Sequence, residues 1–166
     1  MKTNKTHFII TGALIAALYA SLTYLGAFFG ISYGSVQLRV SEVLTLLPIF
    51  NPAAIWGLTI GCFIANFGSF NALDLIFGTL ATFIAAVLTY HFRNIKWRGL
   101  PILSMLMPVI FNALIIGFEV WAFLLPKGST LWALLFSVFE IGISEFIVCV
   151  GFGIPFYLMV KKSIFK

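Results

Sequence analysis

The chain has 166 residues, of which 61% are hydrophobic and only 9% charged, and its mean hydropathy is +1.10. A soluble domain carries about 25% charged residues, so an 18.4 kDa core cannot hide this much apolar surface. Disorder, collagen, coiled coil and a disulfide scaffold are excluded by the low charge, the modest glycine content and the two cysteines. What remains is an integral membrane protein.

Long apolar stretches separated by short polar breaks predict six helices, at about residues 8–27, 36–50, 52–67, 74–91, 100–125 and 131–160. Spanning takes about 20 helical residues. The second and third helices are therefore short, and they form an inserted hairpin around the tight turn Phe50-Asn51-Pro52. Proline suits the start of a helix, where its missing N–H costs nothing. The runs do not alternate with a period of two, which excludes a barrel. The first apolar run extends past Tyr24 without a convincing cleavage site, so it is not read as a signal peptide. The whole chain, 1–166, forms one domain.

Eight of the ten Lys and Arg residues lie in three segments: Lys2 and Lys5 before the first helix, Arg93, Lys96 and Arg98 between the fourth and fifth, and Lys161, Lys162 and Lys166 after the sixth. Six spans bring all three to one side, which is expected to be cytoplasmic, with both termini inside. This distribution, not nucleic-acid binding, accounts for the net charge of +5.

The five acids avoid that side. Glu42, Asp74 and Glu119 fall in the outer half, Glu140 lies about 13 Å below the outer end of its helix, and Glu145 is nearer mid-membrane. Buried charge is costly in hydrocarbon, so these groups should face the bundle interior or a cavity. Arg39 and Glu42 at i, i+3 can pair on one helix face. They read either as a structural ion pair or as one wall of a solute pocket. Asn112 and Glu119 share a face, and Ser137, Glu140 and Ser144 form a stripe. Glu145 is turned about 100° from Ser144. Asn66, Asn71 and Asp74 bracket an outer loop, where turn chemistry and a helix N-cap at Asp74 are the plain explanation.

Trp97, Trp121 and Trp132 are expected at the membrane boundaries. Tyr24, Tyr33 and Trp56 could instead stack on a flat ligand. No phosphate-binding loop, nucleophile elbow or metal-ligand spacing occurs. His7 and His91 sit near the cytoplasmic surface, and Cys62 and Cys149 read as small buried hydrophobes. The chain has no ATP-hydrolysing motif, so active transport needs a partner or an ion gradient. On the first helix, Ala13 and Ala17, and Ala16 and Ala20, are spaced four apart with Gly12 before them. That spacing lets another helix come close, and internal packing alone would explain it.

The run Gln37-Leu38-Arg39-Val40-Ser41-Glu42-Val43-Leu44-Thr45-Leu46-Leu47-Pro48 is distinctive. It continues through Asn51-Pro52-Ala53-Ala54-Ile55-Trp56-Gly57-Leu58, Gly61-Cys62-Phe63-Ile64-Ala65-Asn66 and Ala72-Leu73-Asp74-Leu75-Ile76-Phe77-Gly78-Thr79-Leu80-Ala81-Thr82. It resembles the QueT family of queuosine-precursor transporters, which are substrate-binding (S) components of energy-coupling factor (ECF) transporters. The resemblance implies a six-helix S-component bundle in a bacterial plasma membrane that binds a 7-deazaguanine near its outer face. It implies an ECF module of one transmembrane coupling protein and two ABC ATPases, which bind the ATP. It raises Ala13, Ala16, Ala17 and Ala20 to expected contacts with the coupling protein. Arg39, Glu42, Asn66, Asp74, Glu119 and Glu140 supply groups that match the donor and acceptor edges of the implied ligand. The competing readings are an S component for another vitamin-like molecule, a stand-alone secondary transporter and a membrane scaffold. No inverted repeat favours the secondary transporter, and a scaffold gains little from acids gathered on one side.

Overall fold

The computed structural model describes residues 5–30, 32, 38–69 and 71–164. The proposed start of the second helix at Val36 lies outside them, as do Lys2, Tyr33, Gln37 and Lys166. The described residues form an all-α bundle, and four of its helices are long and apolar enough to cross a membrane. These are α1 (Lys5–Phe28), α3 (Asp74–His91), α4 (Ile102–Leu124) and α5 (Leu131–Ile164). Two shorter segments complete the bundle, a 3₁₀ helix (Val40–Ile49) and α2 (Ala53–Asn66). The chain is a multi-pass membrane protein, and the many exposed aliphatic and aromatic side chains on its flank are the lipid-facing surface.

The second predicted helix is thus present, but it is 3₁₀ rather than α-helical. A 3₁₀ helix rises about 2.0 Å per residue, so ten residues cover about 20 Å. The fourteen residues of α2 cover about 21 Å at α-helical rise. The two arms therefore match in length and make the expected hairpin. Asn51 closes its turn by accepting the Ala53 N–H on Oδ1 at 2.9 Å, and Pro52 caps α2.

Small residues set the packing of α1 on α2. A Cβ added at Gly57 would stand 2.6 Å from the Gly12 carbonyl oxygen, and one at Gly61 would stand 2.8 Å from that of Ala16. The helices touch backbone to backbone, as a small-residue face permits. Ala16 and Ala20 are buried, whereas Ala13 and Ala17 are exposed. The two alanine pairs therefore part. Ala16 packs on α2 and still borders the open groove that Ala13 and Ala17 line, whereas Ala20 lies buried in the bundle, away from that groove.

One end of the bundle is marked by Leu46, Phe50, Leu100, Ile102, Met105 and Tyr157, which pack together. The loop carrying Arg93, Lys96 and Arg98 and the helix end carrying Lys161 and Lys162 flank this cluster. The polar residues described next lie toward the opposite end.

Candidate functional site

Four acids and one base are less than 9% exposed among the described residues: Glu42 (2%), Asp74 (6%), Glu119 (0%), Glu145 (8%) and Arg39 (8%). They come from the 3₁₀ helix and its N-cap, α3, α4 and α5, so four of the six elements contribute a buried charge-bearing side chain. Such groups survive in an apolar bundle only when hydrogen-bonded or paired.

Arg39 stands at the entry to the 3₁₀ helix and reaches across to the α2–α3 corner. Its guanidinium lies 3.7 Å from Asp74 Oδ2 and donates to Asn66 Oδ1 at 3.3 Å. Asn66 in turn donates to the Asp74 carbonyl at 2.7 Å. Gly78 leaves room for this amide, since a Cβ there would come 2.7 Å from Asn66 Nδ2. Ser69 donates to Asp74 Oδ2, and Asn71 donates to Glu119 Oε1. Asp74 is the first residue of α3 and not its N-cap. It serves the Arg39 network, and the turn is closed by Asn71, whose Oδ1 accepts the Leu73 N–H at 3.1 Å.

Glu42 has separate partners. Tyr19 of α1 donates to its Oε1, and Asn112 of α4 donates to its Oε2 at 3.5 Å. The i, i+3 spacing of Arg39 and Glu42 places both on one cavity wall. Arg39 reaches the α2–α3 corner and Glu42 the α1–α4 side, where a simple intrahelical pair was one of the two sequence expectations.

Between them lies an enclosed cavity of about 20 Å³, lined by Arg39, Glu42, Gly78, Thr82, Asn112, Ile116, Ile141 and Glu145. That volume admits about one water molecule. Ligand cavities for small molecules run to about 300–1,000 Å³, so this cavity is far smaller than one that encloses an organic ligand. Glu145 completes the wall from α5. The Cys149 sulfur lies 3.5 Å from its Oε2 and 3.6 Å from the Glu42 carbonyl oxygen, two acceptors that share the one thiol proton. A π-helical turn at Ile147–Phe152 carries Cys149, and a second at Val120–Leu124 directly follows Glu119. Such turns accompany functional sites in many helices.

Several sequence expectations are refined. Glu140 is only half-buried and lies in an apolar groove with Leu38, Phe136, Phe139, Ile143, Ser144 and Ile147, away from the cavity. Glu145, not Glu140, lines the cavity, because five residues at about 100° each turn the two acids onto different faces of α5. Asn66, Asp74 and Glu119 are buried beside the cavity and brace its wall rather than line it. Trp56 is 55% exposed against Phe83, and Tyr24 is 41% exposed with its hydroxyl on the Ile64 carbonyl, so neither faces the cavity. The cysteines are buried as expected, yet both join the polar network: Cys62 Sγ accepts from Thr82 at 3.2 Å. Tyr19, which holds Glu42, is a residue of this network that the sequence did not single out. Its signal was helical phase, since Ala16, Tyr19 and Thr23 fall on the buried line of α1.

A family model described as QueT transporter matches residues 9–162. Over 84 residues the chain is 48% identical to a curated protein of Lactococcus lactis subsp. cremoris (strain MG1363) named queuosine precursor transporter QueT. That match covers 51% of this chain and 50% of the relative, so the aligned part spans about half the length of each. No solved structure matches.

Proposed function

The chain belongs to the QueT transporter family, and from that premise we propose that it is the membrane-embedded substrate-binding component of an ECF-type ABC importer, capturing a queuosine precursor of the 7-deazaguanine class at its outer face. The observation that carries the reading is the enclosed polar cavity walled by four elements of an otherwise apolar bundle. Tyr19 and Asn112 hold the Glu42 carboxylate in place and leave it capacity for further donors, since a carboxylate offers about four acceptor sites. The adjacent N–H groups of a guanine-like edge suit such an acceptor. Asn112 and Thr82 supply donors and acceptors for the remaining ring edge, and Arg39 supplies donors. At about 20 Å³ the cavity must widen to admit a bicyclic base, so capture includes opening of the end that holds Arg39 and Asp74.

Partner docking follows the exposed half of the α1 small-residue face. Ala13 and Ala17 border an apolar groove of about 440 Å³ with Trp56, Ile60 and Ile64. A helix of the transmembrane coupling protein fits against such a face, and the two ABC ATPases of the ECF module supply ATP hydrolysis. The membrane is the bacterial plasma membrane, and both termini face the cytoplasm.

The test is titration of the purified chain with 7-deazaguanines beside biotin, thiamine and riboflavin. Saturable binding of the deazaguanines alone supports the reading. Binding of another vitamin, or of none, overturns the assigned ligand. Uptake into vesicles that lack any ATPase, driven by an ion gradient, would overturn the coupling mechanism.

A further inference from the structure

We propose that Glu145 determines specificity at the 7-position of the ligand, selecting a positively charged aminomethyl substituent over an uncharged nitrile. The inference rests on the deazaguanine reading above and goes beyond it by dividing the cavity's two carboxylates between two parts of one ligand.

The division follows from how each acid is already engaged. Glu42 is met by a phenol hydroxyl on one oxygen and an amide on the other. Both donors fix its direction, which suits an acceptor that must read a rigid ring edge. Glu145 is met on Oε2 by the Cys149 thiol at 3.5 Å, a weak donor, and it shares the Asn112 amide with Glu42. It is 8% exposed and lines the same cavity from α5, opposite the 3₁₀ helix in chain origin. The base among the cavity-lining residues, Arg39, is engaged by Asp74 and Asn66. Glu145 is therefore the cavity carboxylate whose acceptor capacity is met most weakly.

A buried acid in that condition favours a cationic donor. An aminomethyl group, protonated, brings three N–H donors and a positive charge, and charge-assisted bonds are about twice as strong as neutral ones. A nitrile brings only an acceptor, which a carboxylate repels. The ring-edge contacts of the two ligands are the same, so the difference falls on the residue facing the substituent.

The experiment is calorimetric titration of the purified full chain with 7-aminomethyl-7-deazaguanine and with 7-cyano-7-deazaguanine. The parent should bind the aminomethyl form at least about tenfold more tightly. Glu145→Gln should weaken the aminomethyl form by about tenfold and move the nitrile by less than about threefold, collapsing the preference. Glu42→Gln should weaken both alike. Glu145→Asp keeps the charge on a shorter arm and guards against a folding defect. It should keep the aminomethyl form preferred while weakening it more than the nitrile. Equal losses for both ligands in the Glu145 variants, or a parent that prefers the nitrile, would overturn the inference while leaving the deazaguanine reading intact. A parent that binds neither overturns the reading itself.

Discussion

Tyr19 on α1 donates its hydroxyl to Glu42 Oε1, joining the first helix to the 3₁₀ segment inside the bundle. Tyr19 is wholly buried and Glu42 nearly so. The contact ties the helix proposed to dock a partner to the acid proposed to meet the ligand. Thr23, one turn further along α1, repeats the link through Ser41 at 2.7 Å. The two elements are thus held together by side-chain bonds at two successive levels.

Tyr19→Phe should lower stability by about 1–3 kcal/mol, because the acceptor it abandons stays buried. Removing both partners should cost less than the sum of the single changes. A double-mutant cycle of Tyr19→Phe with Glu42→Gln, read by thermal unfolding without ligand, should give a coupling of about 0.5–3 kcal/mol. Strict additivity would mean that the hydroxyl and the carboxylate do not stabilise one another.

The acids should separate by position and not by type. Glu42→Gln removes the charge of a cavity-lining carboxylate with little change in volume, and ligand affinity should fall about tenfold or more. Glu140→Gln changes a half-buried group outside the cavity, and its affinity should stay within about twofold of the parent. Binding measured on both variants checks this, and an equal loss would move the site toward the outer groove of α5.

Much of the architecture is legible in the sequence, because continuous apolar runs, the Asn-Pro turn and the basic loops are local signals. The 3₁₀ geometry of Val40–Ile49 is not, since the pitch of a short apolar helix depends on how its neighbours hold it. The site is legible as a set of acids in the polar half of the bundle. It is not legible as a choice between Glu140 and Glu145, which adjoin the same serine stripe and differ in helical phase. That phase is set by packing against α4, where Gly117 lies so close to Val138 that an added Cβ would be 2.6 Å from its Cγ2. Tyr19 escaped notice because an aromatic residue in a membrane helix is ordinarily packing.

The two faces of α1 should respond oppositely to bulk. Gly61→Val drives a branched side chain into the Ala16 backbone and the Tyr19 Cβ, 2.8 and 2.9 Å from where its Cβ would stand. Overpacking of this kind costs about 1–3 kcal/mol, and the melting temperature in detergent should fall. Ala13→Leu with Ala17→Leu enlarges exposed positions, so melting and ligand binding should hold while assembly with the coupling protein is lost. If ligand affinity falls as far as assembly does, the exposed alanines belong to internal packing.

Orientation is testable because the native thiols are buried and unreactive by position. Cys62 and Cys149 are both fully shielded, so a single introduced cysteine reports alone. Lys127 is exposed in the short connection between α4 and α5, and Lys96 is exposed in the connection between α3 and α4. These connections lie at opposite ends of α4, about 35 Å apart for its 23 residues. The basic connection should face the cytoplasm. An impermeant maleimide added to intact cells should therefore label Lys127→Cys and spare Lys96→Cys until the membrane is permeabilised. The reverse pattern would invert the bundle. It would also put the end bearing Arg39 and Asp74 on the cytoplasmic side, where it could not capture a solute from outside.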